Sequence, residues 1–252
     1  MAWADQIEAA FAARPAPVRA STYLDRRIGC FSFPVWVSCE DGQVYVVKAP
    51  QDGRPTVART LTPEHVVGRV GACMGAAIPV IGYVELPTDL LEAEPAMAHY
   101  RAGIAHGSVL LQDCSESLWV NHFNVPENRH RYALIAALCS MFNADDHQFL
   151  YQNNRPRLVY SVDHGFFFPG GAAWTAESLR LAPAAVLDPL FEQCGFTPQD
   201  LEITKARLEG LTAADIAAAA AGPLEEWGID MDERVAIAEY VDRRRTELLE
   251  SL

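Results

Sequence analysis

A lysine and a glutamate stand where the surrounding pattern is apolar. Lys48 ends the strand VYVVK, which is apolar on both faces, and Glu64 follows in a predicted helix. Because burying an unpaired ammonium is costly, Lys48 needs an anionic partner such as Glu64, unless it reaches water at the end of the strand. Glu64 could equally be a first-turn acid that complements the helix dipole.

Two clusters of polar residues follow in the second half of the chain. Asn143-Ala144-Asp145-Asp146-His147-Gln148 separates an apolar helix from a short strand, and Asp163-His164-Gly165 follows another strand. If these strands pair as a hairpin, Gln148 and Asp163 become neighbours, because the start of one strand lies beside the end of the next. Two such oxygen ligands suit a hard cation such as magnesium. Each cluster could otherwise be a solvated turn.

Composition excludes several classes of protein. The 252 residues include 33 acidic and 20 basic side chains, for a net charge of −13, which argues against sequence-independent binding to nucleic acid. No apolar window matches a membrane helix, and the acidic N-terminus is unlike a signal peptide; we therefore expect a cytoplasmic protein with no membrane partner. The six cysteines stand singly, which favours buried thiols over disulfides or a zinc site. Eighteen basic residues are Arg, and two are Lys, at positions 48 and 205.

Periodicity and turn signals divide the chain into strands and helices. A helix is predicted over residues 3–14, followed by strands from Val18 to Pro50 with a hairpin turn at Asp41-Gly42. Thr62 as N-cap and Pro63 as first helical residue predict a helix of about 14 residues. The remaining predicted elements are strands within 80–86 and 107–113, a hairpin within 149–163, and helices over 129–142, 174–182, 184–193, 198–210, 212–221 and 232–250.

This order of elements predicts an α+β fold with two lobes and a cleft between them. The β-rich N-terminal lobe would cover residues 1–115 and carry one inserted helix. The mainly helical C-terminal lobe would cover residues 116–252 and contain the hairpin and both polar clusters.

Over roughly residues 20–170 this arrangement resembles the protein kinase-like fold, and within it the HipA-like kinases. In that superfamily a strand lysine pairs with an acid on the next helix, as Lys48 and Glu64 could. Asp145 with His147 two residues later is similar to the catalytic-loop motif, and Asp163 with Gly165 is similar to the metal-binding Asp-x-Gly.

The resemblance implies a kinase that binds ATP and Mg²⁺ in the cleft. Lys48, paired with Glu64, would bind the nucleotide phosphates, and Ser32 with nearby backbone amides would contact them from the loop above. Asp163 and Gln148 would hold the magnesium. Asp145 would accept the proton of an acceptor hydroxyl, in a protein Ser or Thr or in a small molecule such as an aminoglycoside. An antitoxin-like or regulatory protein partner is a further implication.

Three departures from the family pattern leave alternatives open. Leu150 stands where an Asn usually binds the second metal, and the loop Ile28-Gly29-Cys30-Phe31-Ser32 offers a single glycine. The catalytic carboxylate could be Asp146 in place of Asp145. One alternative is therefore a pseudokinase that binds nucleotide or a partner. Another is a metal-dependent hydrolase that uses the two polar clusters, including His147 and His164, around one or two ions.

Overall fold

A computed structural model describes residues 2–27, 30–144 and 146–252 of the chain. Met1, Ile28, Gly29 and the predicted catalytic Asp145 lie outside the described residues. The eight strands of this part of the chain are β1 Val18–Arg26, β2 Val35–Cys39, β3 Val44–Lys48, β4 Ile81–Leu86, β5 Gly103–Val109, β6 Cys114–Ser117, β7 Gln148–Gln152 and β8 Val159–Val162. Its α-helices are α1 Trp3–Phe11, α2 Pro55–Met74, α3 Thr88–Ala93, α4 Pro126–Phe142, α5 Ala176–Arg180, α6 Leu190–Gln193, α7 Pro198–Glu209, α8 Ala213–Ala221 and α9 Met231–Ser251.

The first five strands close into a small barrel in the order β1-β2-β3-β5-β4. β1 joins β4 through a short parallel pairing, and the other neighbours are antiparallel. The β2–β3 hairpin turns at Asp41-Gly42, as predicted, with Gly42 in the left-handed conformation at φ 79° that such a turn requires. Alternate side chains such as Val35, Val37 and Val47 fill the interior and are fully buried.

Helix α2 lies between the barrel and the helical part of the molecule. It spans 20 residues, from Pro55 to Met74, so the prediction of a shorter helix beginning at Thr62 and Pro63 is wrong. Pro55 is the first helical residue, the position that proline favours. Glu64 therefore lies deep inside the helix, and the interpretation of this residue as a first-turn acid is also wrong.

Pro63 is accommodated inside α2 by a contact from outside the helix. Proline lacks the N–H that would bind the carbonyl of the residue four positions earlier, Arg59. The indole Nε1 of Trp174 donates to that carbonyl at 2.9 Å, and the Arg59 guanidinium lies 4.0 Å from the centre of the Trp174 ring. A distant tryptophan thus satisfies the carbonyl that Pro63 leaves free.

Helix α4 is the buried axis of the helical part, and its end fixes the segment that follows. Arg244 of α9, itself buried, donates to the carbonyls of Ser140 at 2.7 Å and Met141 at 2.8 Å, so a cation satisfies the last turn of α4. Asn143 then ends the helix in the left-handed conformation, with φ 51°. The Asp146–Gln148 segment therefore leaves from an anchored helix end.

The N-terminal helix α1 packs against the C-terminal part of the chain. Its buried Ile7 belongs to the same core as residues of α4, α8 and α9. Just beyond α1, Arg14 Nε donates to the carbonyl of Ala221 at 2.7 Å. The division of lobes at residues 115 and 116 stays a prediction, and this packing sets α1 in the helical core.

Most of the other elements match the predictions in kind and differ in extent, whereas α3 and β6 were not predicted. The β7–β8 hairpin and the buried α4 are confirmed. Strand β5 runs from Gly103 to Val109, whereas the predicted strand covered 107–113, and Leu110 and Leu111 beyond its end line a cavity. The helix predicted over 184–193 is confined to α6, since Pro183 and Pro189 interrupt its pattern.

Candidate active site

Lys48 joins three elements in one buried ion network. Its Nζ lies 2.7 Å from Glu64 Oε2 on α2 and 2.7 Å from Asp163 Oδ1 after β8. Its relative exposure is 8% and that of Glu64 is 6%, so water screens this pair of charges poorly, whereas the Asp163 side chain is 32% exposed. The predicted pairing of Lys48 with Glu64 is present, and the alternative in which Lys48 reaches water is wrong.

The network fixes the charge of its members. Burial alone would lower the pKa of Lys48, but the carboxylates of Asp163 and Glu64 outweigh it and the pKa is raised. Burial would likewise raise the pKa of Glu64, yet Lys48 and the neighbouring His106 and His164 lower it to about 2. At neutral pH the site therefore holds the Lys48 ammonium against the Glu64 carboxylate.

Asp163 has a backbone conformation that is energetically unfavourable for residues other than glycine. Its φ of 61° is left-handed, a conformation that non-glycine residues keep where the surrounding structure imposes it. Two residues on, a Cβ at Gly165 would lie 3.2 Å from Thr60 Cβ and 3.3 Å from Glu64 Oε2. A glycine at 165 thus lets the segment after Asp163 pack directly against α2.

The hairpin brings Gln148 beside the end of β8. Gln148 pairs with Val162 across β7 and β8, so its neighbour along β8 is Asp163, as the sequence predicted. Leu150, which stands where kinases usually have a metal-binding Asn, lies on the same strand and faces an apolar cavity.

Two adjoining cavities form the cleft around Lys48. The first, the polar cavity, has a volume of about 520 Å³ and is lined by most of the charged and polar side chains of the cleft: Arg27, Ser32, Lys48, Thr60, Glu64, Glu116, Ser117, Asp146, Gln148 and Asp163. The second, about 580 Å³, shares the charged residues around Lys48, and its other lining is mainly apolar: Pro34, Trp36, Val46, Pro79, Val109, Leu110, Leu111, Leu150 and Val162. Volumes of this size suit a small organic ligand.

Ser32 lies at the wall of the polar cavity. It is buried, and its carbonyl accepts a hydrogen bond from Gln51 Nε2 at 2.6 Å. Beside it, Phe31 packs edge-on against Phe166, with ring centres 5.1 Å apart. This contact joins the loop after β1 to the segment after Asp163, so the polar cavity has a front wall.

The predicted catalytic loop is described in part. Asp145 lies outside the described residues, whereas Asp146 lines the polar cavity. His147 Nε2 lies 2.8 Å from Asp188 Oδ2, and the Asp188 backbone N–H donates to Ser140 Oγ at 2.8 Å. His147 is therefore anchored through a buried carboxylate to helix α4.

The histidines that a hydrolase would use contact different partners. His147 contacts Asp188, while His164 Nε2 lies 2.9 Å from Ser161 Oγ. Among the described residues, one group of three metal-ligating side chains has its ligand atoms within 4.8 Å of one another, namely Cys139, His147 and Asp188. That group does not include Asp163, which disfavours a hydrolase centre built from both polar clusters.

A second set of buried histidines lies behind the ion network. His106 of β5 pairs in register with Lys48, and its Nδ1 lies 3.3 Å from Nδ1 of His65, the neighbour of Glu64 on α2. Burial lowers the pKa of His106 to about 4, with Lys48 adding to the effect and Glu64 opposing it. Burial also lowers the pKa of His65 well below its usual value. Both rings are neutral in the folded protein at pH 7.

We expect this histidine pair to make the protein sensitive to acid. The unfolded chain takes up protons near pH 6.5, while folded His106 resists protonation down to about pH 4 and the pKa of folded His65 is also lowered, so the free energy of unfolding falls as pH drops through this window. Each histidine contributes a slope of about 1.4 kcal/mol per pH unit. Urea unfolding between pH 7.5 and 4.5 measures this slope.

Replacement of one ring tests its contribution. His106→Gln should reduce the slope by about one histidine's share, and His130→Gln, at an exposed position, should leave it unchanged. Equal slopes in wild type and His106→Gln would contradict the assignment.

Among the site residues that were not foreseen are the charged residues Arg27, Glu116 and Asp188. Each contacts a partner far away in sequence, as in the 2.6 Å ion pair between Arg27 Nη1 and Glu116 Oε2. The sequence places Arg27 just before the loop with the single glycine, and Asp188 before a proline. Neither position carries a motif of its own.

The structure has a closed β-barrel with a buried lysine–glutamate pair and a helical part that carries an Asp-x-Gly turn, with a cleft between them. This is the architecture of the two-lobed protein kinase-like fold. The chain is similar to the Helicobacter pylori proinflammatory kinase CtkA, with a TM-score of 0.55 and 10% identity over 93% of this chain and 96% of that one. At this identity the similarity establishes the fold alone, and the predicted fold class is confirmed.

Two structures of the Golgi casein kinase are also similar in overall shape. One gives a TM-score of 0.48 and 12% identity over 97% of this chain and 75% of that one. The other, with Mn/ADP bound, gives a TM-score of 0.45 and 13% identity over 98% of this chain and 76% of that one. No protein-family model and no curated protein matches the chain. Within the described residues, no helix has the length and apolarity to cross a membrane.

Proposed function

We propose that the protein is a HipA-like kinase that transfers the γ-phosphoryl group of ATP to the hydroxyl of a protein Ser or Thr. The observation that carries this proposal is the position of Lys48, buried between Glu64 and Asp163 at the junction of two cavities. Kinases use such a lysine on the nucleotide phosphates and such an aspartate on the metal.

The chemistry of the two cavities suits the two ends of a nucleotide. An aromatic base fits the apolar cavity between Trp36, Val46 and Leu150, since apolar walls favour a flat ring. The phosphates then extend into the polar cavity, toward Lys48 and Ser32.

The donor set beside Lys48 fits magnesium. Asp163 offers a carboxylate and Gln148 an amide oxygen, both hard ligands, and both line the two cavities. Bound there, Mg²⁺ would neutralise charge on the β and γ phosphates. The single carboxylate leaves room for phosphate oxygens and water to complete its coordination.

The catalytic loop supplies the base. In the proposed reaction the acceptor oxygen bonds to the γ phosphorus, the bond from that phosphorus to the β–γ bridging oxygen breaks, and ADP leaves. The hydroxyl proton passes to the carboxylate of Asp145. His147, anchored to Asp188 at 2.8 Å, acts as a positioning residue for this loop.

Alanine replacement of each adjacent aspartate tests the reaction and its base. With ATP and Mg²⁺, wild type should show ADP release and autophosphorylation, and Asp145→Ala should lower both by about 100- to 10,000-fold. Asp146→Ala, the matched control, should retain most activity. The opposite ranking would move the catalytic role to Asp146.

A pseudokinase is the second candidate, favoured by the placement of Leu150 in the apolar cavity where kinases usually carry a metal-binding amide. It predicts that nucleotide raises the melting temperature while turnover by wild type stays at the level of Asp145→Ala. The cytoplasmic location, the small-molecule acceptor and the antitoxin-like partner stay predictions from the sequence.

A further inference from the structure

The cleft contains few cations for a ligand as anionic as a nucleotide. Among the described residues that line its two cavities, the cationic side chains are Lys48 and Arg27. Lys48 already contacts two carboxylates at 2.7 Å each. Arg27 contacts one, Glu116, at 2.6 Å, although a guanidinium has five N–H donors. Arg27 therefore keeps donor capacity that Lys48 has largely used.

Arg27 is anchored by its backbone, and its guanidinium, paired with Glu116, is partly exposed to solvent. Its N–H donates to the carbonyl of Pro34 at 2.9 Å, and the preceding Arg26 pairs with Val35 at the end of the β1–β2 ladder. The side chain of Arg27 is 49% exposed and that of Glu116 is 30% exposed. A rigid strand end thus presents a solvated guanidinium at the mouth of the cleft.

The ion pair of Arg27 crosses from one part of the fold to the other. Arg27 follows β1 of the barrel, and Glu116 lies on β6, which pairs with β7 beside Gln148. Hydrogen bonding to Glu116 raises the pKa of Arg27, and the Asp163 carboxylate adds to the effect. The guanidinium and the carboxylate assigned to the metal line the same two cavities.

We propose that Arg27 is a phosphate-binding residue of the nucleotide site, and that it exchanges its ion pair with Glu116 for phosphate oxygens when nucleotide binds. This inference rests on the proposed function and adds a residue to it. An exposed ion pair stabilises little, so its release costs little. The planar guanidinium fork matches two phosphate oxygens and gains strong charge-assisted hydrogen bonds.

The proposal explains how a loop with one glycine could serve phosphates. Kinases usually cover the phosphates with backbone amides of a glycine-rich loop, and the segment after Arg27 offers Gly29 alone. The side chain of an arginine at the start of that segment can make the phosphate contacts for which the loop has few backbone amides.

Calorimetric titration of purified protein with Mg·ATP and with adenosine tests the assignment. Arg27→Gln should weaken ATP binding by about 10- to 100-fold, the range expected for loss of a charge-assisted contact, and leave adenosine binding within about twofold. Arg26→Gln is the matched control, since Arg26 is exposed and lines neither cavity. It should bind both ligands as wild type does.

A second variant tests the exchange itself. Glu116→Gln removes the competing carboxylate, so it should bind ATP at least as tightly as wild type. A tenfold loss in Glu116→Gln, or wild-type ATP affinity in Arg27→Gln, would overturn the inference while the proposed function stands. Equal losses for ATP and adenosine in Arg27→Gln would also overturn it. Failure of wild type to bind either ligand would remove the proposed function itself.

Discussion

Asp163→Asn is expected to lower ATP turnover by about 100- to 1,000-fold, with a smaller effect on folding than the loss of Lys48, because Lys48 keeps its contact with Glu64. Asparagine keeps the shape of the side chain and tolerates the left-handed backbone at φ 61°. It removes the negative charge that contacts Lys48 at 2.7 Å and that would bind the metal, and loss of one preorganised charge at a reacting centre costs this much. Single-turnover assays with labelled ATP measure the effect.

An aspartate in a surface ion pair provides the control for that variant. Asp232 lies 2.6 Å from Arg180 at a solvent-exposed site, so Asp232→Asn removes a paired carboxylate away from the cleft. It should leave turnover unchanged. Turnover by Asp163→Asn above a tenth of the wild-type value, at equal melting temperature, would contradict the role given to Asp163.

Lys48→Met is expected to damage both stability and nucleotide binding. It leaves Glu64 buried without its cation, and removing one member of a buried ion pair costs about 3–5 kcal/mol. Because Lys48 is the main cause of the lowered Glu64 pKa, that carboxyl should also take up a proton at higher pH. Urea unfolding and ATP titration give the two readouts.

The other lysine of the chain is the matched control. Lys205 on α7 lies outside both cavities, and Lys205→Met should change neither stability nor ATP affinity appreciably. Lys48→Arg keeps the charge but replaces a compact ammonium with a larger planar group. It should still weaken ATP binding, and unchanged affinity would argue against direct contact between Lys48 and phosphate.

Local sequence signals predicted those parts of the fold and the site that are formed by elements close together in the sequence. The Asp41-Gly42 turn, the β7–β8 hairpin and the apolar α4 are each determined within a short segment, so composition and spacing suffice. The Lys48–Glu64 contact could be predicted because a buried ammonium requires an anionic partner and the next helix carries a carboxylate.

Contacts that depend on distant partners escaped sequence reasoning. Thr62 and Pro63 look like a helix start, yet both lie inside α2, where the indole of Trp174 binds the Arg59 carbonyl that Pro63 leaves free. The ion pair of Arg27 with Glu116 likewise joins segments 89 positions apart in the chain. Such pairs cannot be predicted from the spacing of residues in the sequence, because only the folded structure brings the two partners together.

The packing of α1 on the last helices has a consequence for how the chain reaches its folded state. The hydrogen bond from Arg14 to Ala221 closes a sequence separation of 207 residues, and Ile7 completes a core otherwise built largely from residues that follow the barrel. Closing so long a loop costs entropy before its contacts contribute, which slows folding. The helical core therefore includes a helix, α1, that is synthesised well before its partners α8 and α9 and can dock only after both have been made.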